Sequence, residues 1–188
     1  MFIQTEDTPN PASLKFLPGR PVMGSGTADF ASIDESERSP LARRLFEVEH
    51  VERVFLGSDF VSVTKAGTGE WQLMKPAILG IIMEHFISGR PVLEGAAPEA
   101  AGTAEGGYDA ADAEVVGQIK ELLDTRVRPA VAQDGGDIIF RSYRDGVVSL
   151  VMQGACSGCP SSTMTLKMGI ENLLKHYIPE VTEVRPVM

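Results

Sequence analysis

At 188 residues, with 43% hydrophobic side chains and a mean hydropathy of +0.00, the chain holds enough apolar material for one or two packed cores and too much for a wholly disordered polymer. Its 17 basic and 26 acidic residues leave a net charge of -9 and a pI near 4.8, which argues against the clustered positive surface that binds a phosphate backbone, so no nucleic acid is expected as a partner. The longest apolar run, residues 77–83, is broken by Gly80 and falls far short of the roughly 20 residues that span a bilayer, so no membrane is expected either.

The chain opens with extended pieces at Phe2 to Gln4 and Ser13 to Leu17, on either side of the Pro9-Asn10-Pro11 turn, and a hairpin is expected there. Residues 1–11 show neither a basic-then-apolar signal nor an Arg-rich transit segment, which places the chain in a bacterial cytoplasm, or in the mitochondrial matrix as a processed eukaryotic form. Ser39 before Pro40 reads as a cap followed by proline at the first helical position, with Leu41, Leu45 and Phe46 on the buried face. Val51 to Leu56 and Asp59 to Lys65, divided by Gly57-Ser58, read as a second hairpin completing an antiparallel sheet. Pro76 is expected to start a second helix that carries Ile78, Ile82, His85 and Phe86 and ends at Gly89.

Residues 93–111 are small and acidic with almost no branched apolar side chain, the composition of a flexible Ala/Gly-rich linker. The expected organisation is therefore α+β, with two small domains at residues 1–92 and 112–188 and that linker between them. In the second domain a helix from Asp112 to Arg128, ended by Pro129, presents Val115, Ile119, Leu122, Leu123 and Val127 on one face. A turn at Asp134-Gly135-Gly136-Asp137 leads to strands at Ile138 to Tyr143 and Val147 to Gln153. A last helix begins at Pro160 with Leu166, Ile170, Leu173, Leu174 and Tyr177 at helical spacing, so the order is helix, strand, strand, helix.

The chemistry lies in Gly154-Ala155-Cys156-Ser157-Gly158-Cys159-Pro160, on the loop that feeds this last helix. Two cysteines this close make no secreted disulfide framework and indicate a reducing compartment. The helix beginning at Pro160 presents a partial positive end to both sulfurs, so both are expected to be activated as thiolates. Cys-X-X-Cys serves zinc half-sites, dithiol redox pairs and iron–sulfur ligand pairs alike; two idle thiols or a chance disulfide are the plain alternative. A zinc ion or an iron–sulfur cluster usually takes four protein ligands, and Cys156 and Cys159 supply two. His50, His85 and His176 occupy positions better explained as structural. A symmetric dimer makes up the shortage by setting two copies of the pair face to face, so that four thiolates hold one bridging cluster.

The run from Asp134 to Asp137, the strand pair, and Gly154-Ala155-Cys156-Ser157-Gly158-Cys159-Pro160-Ser161-Ser162-Thr163-Met164-Thr165-Leu166 resemble the carboxy-terminal NifU domain of iron–sulfur scaffold proteins. The first half is similar to the Nfu-type amino-terminal domain through Thr8-Pro9-Asn10-Pro11, Lys15-Phe16, Ser39-Pro40-Leu41-Ala42, Leu45-Phe46, Val54-Phe55 and Phe60 to Lys65; where that pattern has a turn glycine before Val51, this chain has His50. The resemblance implies a non-enzymatic scaffold and carrier. Its Cys156 and Cys159 would ligate an iron–sulfur cluster, of the [4Fe-4S] type with [2Fe-2S] as the alternative, in a cluster-bridged homodimer. Upstream cluster assembly machinery would load it, and apo iron–sulfur proteins would receive the cluster.

Two other uses of the same sulfurs stay open on the residues alone. One is a dithiol-disulfide oxidoreductase with Cys156 attacking and Cys159 resolving, and the other is a zinc-stapled structural dimer. Asp134 and Asp137 read as turn residues rather than a cation site, Trp71, Phe55, Phe60 and Phe86 as core, and Ser161, Ser162 and Thr163 as helix-capping or sulfur-bonding hydroxyls with no base nearby.

Overall fold

The computed structural model describes residues 1–95, 107–157 and 160–187, with the side chains of 160–162 outside that description. Contacts divide the chain into two compact units, Met1–Ala100 and Ala101–Met188.

In the first unit, strands β1 (Gln4–Asp7), β2 (Ser13–Leu17), β3 (Ala28–Phe30), β4 (Val51–Leu56) and β5 (Val61–Lys65) form one sheet in the order β1-β2-β5-β4-β3. Every pairing is antiparallel. Helix α1 (Pro40–Phe46) starts where the Ser39-Pro40 pair demands it: the Ser39 hydroxyl accepts from the Ala42 amide at 3.1 Å and donates to the Val92 carbonyl at 2.7 Å. Helix α2 (Trp71–Ser88) begins five residues ahead of the expected Pro76, which sits exposed inside it. Trp71 fixes that earlier start by donating its indole N–H to the Pro11 carbonyl at 3.3 Å. Phe16, Phe30, Leu41, Leu45, Leu56, Ile78 and Ile82 are fully enclosed between sheet and helices. The outward side of α2 leaves Leu73 and Ile87 exposed. The turn before Val51 forms without its glycine, because His50 itself takes the left-handed conformation at φ 71°.

In the second unit, α3 (Ala113–Leu122) passes through one π turn, Leu123–Val127, into α4 (Arg128–Gln133). The helical run therefore continues through Pro129 instead of ending there. Proline lacks an N–H and its ring crowds the carbonyl four residues back, and a widened turn relieves both. Strands β6 (Gly136–Arg144) and β7 (Val147–Gly154) form an antiparallel pair, helix α5 (Pro160–Tyr177) follows, and β8 (Glu183–Val187) returns parallel to β7. This last strand adds to the expected order. Along β7 every second residue is buried, putting Val148, Leu150 and Met152 on the core face. A bulge between Phe140 and Ser142 shifts the alternation of β6, so that Ile138 and Tyr143 both face inward. Ile119, Leu123 and Val131 from the first helical run and Ile170 and Leu174 from α5 join that face in one core. The expected linker falls largely on residues 96–106, outside the described residues.

Candidate functional site

Strand β7 delivers the chain to the cysteine loop beside the start of β6. Gly154 pairs with Gly136, and the Ala155 amide donates to the Gly135 carbonyl at 3.2 Å. Gly135 and Gly154 both hold positive φ, 81° and 64°, a conformation that side chains resist. The Ser157 amide closes a turn onto the Gly154 carbonyl at 3.0 Å. On the other side the Thr163 hydroxyl donates to the Cys156 carbonyl at 3.2 Å, tying the loop to the first turns of α5.

Cys156 is a member of the second core, with 6% of its surface exposed. Burial, followed by the charges of Asp134 and Asp137, pushes its thiol up to about 12. This runs opposite to the expectation of an activated thiolate at Cys156: removal from water first, then two nearby carboxylates, raise its pKa. Cys159 lies outside the described residues, as do the side chains of Ser161 and Ser162.

Asp137 is 3% exposed and is gripped by Arg128, whose Nε and Nη2 donate to its two carboxylate oxygens at 2.9 and 2.8 Å. The Ile138 amide donates to the same Oδ1 at 2.8 Å, and Arg128 also reaches Asp124 at 3.1 Å. The hydrogen bonds to Asp137 hold the guanidinium even more firmly charged than usual, against the opposing effect of burial. The turn reading of the Asp134 to Asp137 run therefore needs one amendment: Asp137 is a buried ion-pair partner at the base of the cysteine loop. The sequence signal, an arginine nine residues ahead of an aspartate, becomes readable only once the π turn is known.

The three histidines do not join the site. His85 is buried on α2, with its ring edge-on to Phe86, a backbone bond to Arg90, and no hydrogen-bond partner for Nε2 among the described residues. Burial first, then the charges of Arg44 and Arg90, lower its pKa. His50 shapes the turn before β4, and His176 stacks edge-on against Tyr177 in the last turn of α5, roughly 24 Å of helix from Pro160. Among the described residues no group of three or more His, Cys, Asp and Glu side chains could hold a metal ion. Phe55 and Phe60 are buried, as expected, and pack on each other with ring centroids 5.8 Å apart, whereas Trp71 and Phe86 pack partly buried against the main core of the first unit, which does not include that pair.

Comparison with known proteins matches residues 3–89 to the family described as scaffold protein Nfu/NifU N terminal, and residues 119–185 to the NifU-like domain. A human protein named NFU1 iron-sulfur cluster scaffold homolog, mitochondrial, is 53% identical over 190 residues, covering 100% of this chain and 72% of its own length. The chain belongs to the Nfu/NifU scaffold family. The relatives of the same name from Drosophila willistoni and Drosophila persimilis are 55% and 56% identical over 188 residues, again across 100% of this chain. The chain spans 64% and 65% of those two proteins' lengths.

Proposed function

We propose that this Nfu/NifU chain is a non-enzymatic scaffold and carrier that takes up an iron–sulfur cluster, of the [4Fe-4S] type, and hands it to apo iron–sulfur proteins. Cys156 and Cys159 of two copies supply four thiolates to one bridging cluster, which upstream assembly machinery provides. The observation that carries this reading is the Cys-X-X-Cys pair on the β7–α5 connection, within the stretch matched by the NifU-like domain. The cluster is cargo: each thiol gives its proton to solvent on ligation, and the metal charge offsets the field of Asp134 and Asp137. A cluster held between two chains leaves when the dimer separates or when a recipient's thiolates displace the carrier's. The oxidoreductase reading would use the same two sulfurs, and what favours the cluster reading over it is the match of residues 119–185 to the NifU-like domain. For the compartment, the relatives' names support the mitochondrial setting over the bacterial cytoplasm. No helix of the described residues is long and apolar enough to cross a membrane.

Native mass spectrometry after anaerobic reconstitution with iron and sulfide tests the reading. The expected species is a dimer carrying one four-iron cluster, absent from Cys156→Ala and Cys159→Ala. A dimer that retains only zinc, or a monomer without iron, would replace this function with the structural or redox alternative.

A further inference from the structure

Ligation by Cys156 meets an obstacle in the geometry of its own loop. The residue is only 6% exposed and belongs to the second core, whereas a ligand shared with another chain has to offer its sulfur at the surface. A Cβ placed on Gly136 would stand 2.6 Å from the Cys156 sulfur, 2.7 Å from the Gln153 carbonyl oxygen and 3.1 Å from the Cys156 amide nitrogen. The sulfur thus rests on the bare backbone of Gly136, in space that any other side chain would fill. Gly136 is held in place from both sides, by its pairing with Gly154 and by the Arg128 fork on the next residue, Asp137. Across the loop, the Thr163 hydroxyl holds the Cys156 carbonyl at 3.2 Å.

We propose that Gly136 and Thr163 are positioning residues for the Cys156 ligand. They seat the thiol in the second core, and ligation draws the sulfur off Gly136 toward the surface. This rests on the reading of Cys156 as a cluster ligand and adds a loop movement to it. Seated there, this ligand is shielded from thiol reagents. Loading exchanges the sulfur's contact with Gly136 for a bond to iron, with the thiol proton passing to solvent. Unloading returns the sulfur to its seat, which favours release of the cargo.

The test uses the full chain with Cys159→Ser, leaving Cys156 as the one thiol. Alkylation rates are measured with small iodoacetamide and with a bulky polyethylene-glycol maleimide. Both reagents attack the thiolate, so the bulky-to-small ratio cancels ionisation and reports access. In the folded chain the ratio is expected to lie about tenfold or more below that of the same chain unfolded in guanidinium chloride. Thr163→Val is expected to raise it about threefold or more at unchanged far-UV dichroism, whereas Thr163→Ser, which keeps the hydroxyl, retains the low value. Gly136→Ala should raise it further; if the clash with the Gln153 carbonyl unfolds that variant, the Thr163 pair decides alone.

A folded ratio equal to the unfolded one, or one that Thr163→Val leaves unmoved, overturns the proposal. Iron and sulfide analysis of the wild type separates this from the cluster reading. A chain that takes up no cluster yet gives a low, hydroxyl-dependent ratio keeps the seat but overturns its role in ligation. A chain that takes up cluster while the ratio equals the unfolded value loses the seat and keeps the ligand.

Discussion

Replacing Arg128 with methionine keeps the length of the apolar stem but removes the fork from Asp137. The carboxylate, 3% exposed, then loses the Arg128 guanidinium and keeps the Ile138 amide. Truncating one partner of a buried ion pair costs about 3–5 kcal/mol. Because the Arg128 side chain is 33% exposed, solvent already screens the pair and brings the cost below that range, to about 2–3 kcal/mol. The second bond, to Asp124, adds little, since that carboxylate side chain is 60% exposed. Residue-resolved amide hydrogen exchange on the full chain is the assay, with protection of the β6 and β7 amides expected to fall about 30- to 150-fold while the first unit is unchanged. In a unit of roughly 80 residues the same loss lowers the midpoint of thermal unfolding by about 10–20 °C. The double variant Arg128→Met, Asp137→Asn removes the buried charge itself and should recover part of the protection. If single and double variants lose equal protection, the buried charge is not what makes the single change costly, and the reasoning fails.

Three further outcomes follow from groups already described. The pKa of buried His85 is lowered, so the unfolded chain binds its proton first: the stability of the first unit is complete above pH about 6.5 and falls by up to about 1.4 kcal/mol per unit below it. Urea titrations followed by Trp71 fluorescence at pH 7.5 and 5.5 should show a larger acid loss in wild type than in His85→Gln, and equal losses would contradict this. Ser39→Ala breaks the cap on Ala42 and leaves the Val92 carbonyl without its donor, at a cost of about 2 kcal/mol in the same titration; a change under about 0.5 kcal/mol would remove Ser39 from the account. Cys156→Ser buries a hydroxyl in the second core at a cost of about 1–3 kcal/mol, which outweighs the small void left by removing the sulfur, so Cys156→Ala is expected to unfold at higher temperature than Cys156→Ser. The reverse order by calorimetry would show that the loop opens to water at this position.

What was legible in the sequence was whatever depended on local pattern. The ladder of Ile170 and Leu174 on α5, the β4–β5 hairpin and the Ser39-Pro40 helix start each express a short-range rule, and each formed. The two prolines misled because their usual meaning gave way to tertiary context. Pro76 reads as a first helical residue, yet on an exposed face inside α2 it forfeits one bond while Trp71 anchors the turns before it. Pro129 reads as a stop, yet a single π turn carries the helix past it. Strand β8 escaped notice because Glu183 to Val187 contains Pro186 and acquires its extended form only by pairing with Val147 to Val151. At the site, the cysteine pair announced itself, whereas the supports of Cys156 come from residues 20 positions before it, Gly136, and 7 after it, Thr163, which only the folded chain brings together.

The pairing of β7 changes along its length. From Val147 to Val151 it is held on both sides, by β6 and by β8, whereas among the described residues Met152 to Gly154 pair only with β6. Cooperativity is therefore graded toward the cysteines: the doubly paired half is the anchored end of a zipper, and the singly paired half is its slider. Fluctuations that free the last residues before Cys156 break one ladder instead of two and leave the doubly held portion closed. Among the described residues, loosening of Met152 to Gly154 leaves the ladders at Val147 to Val151 intact.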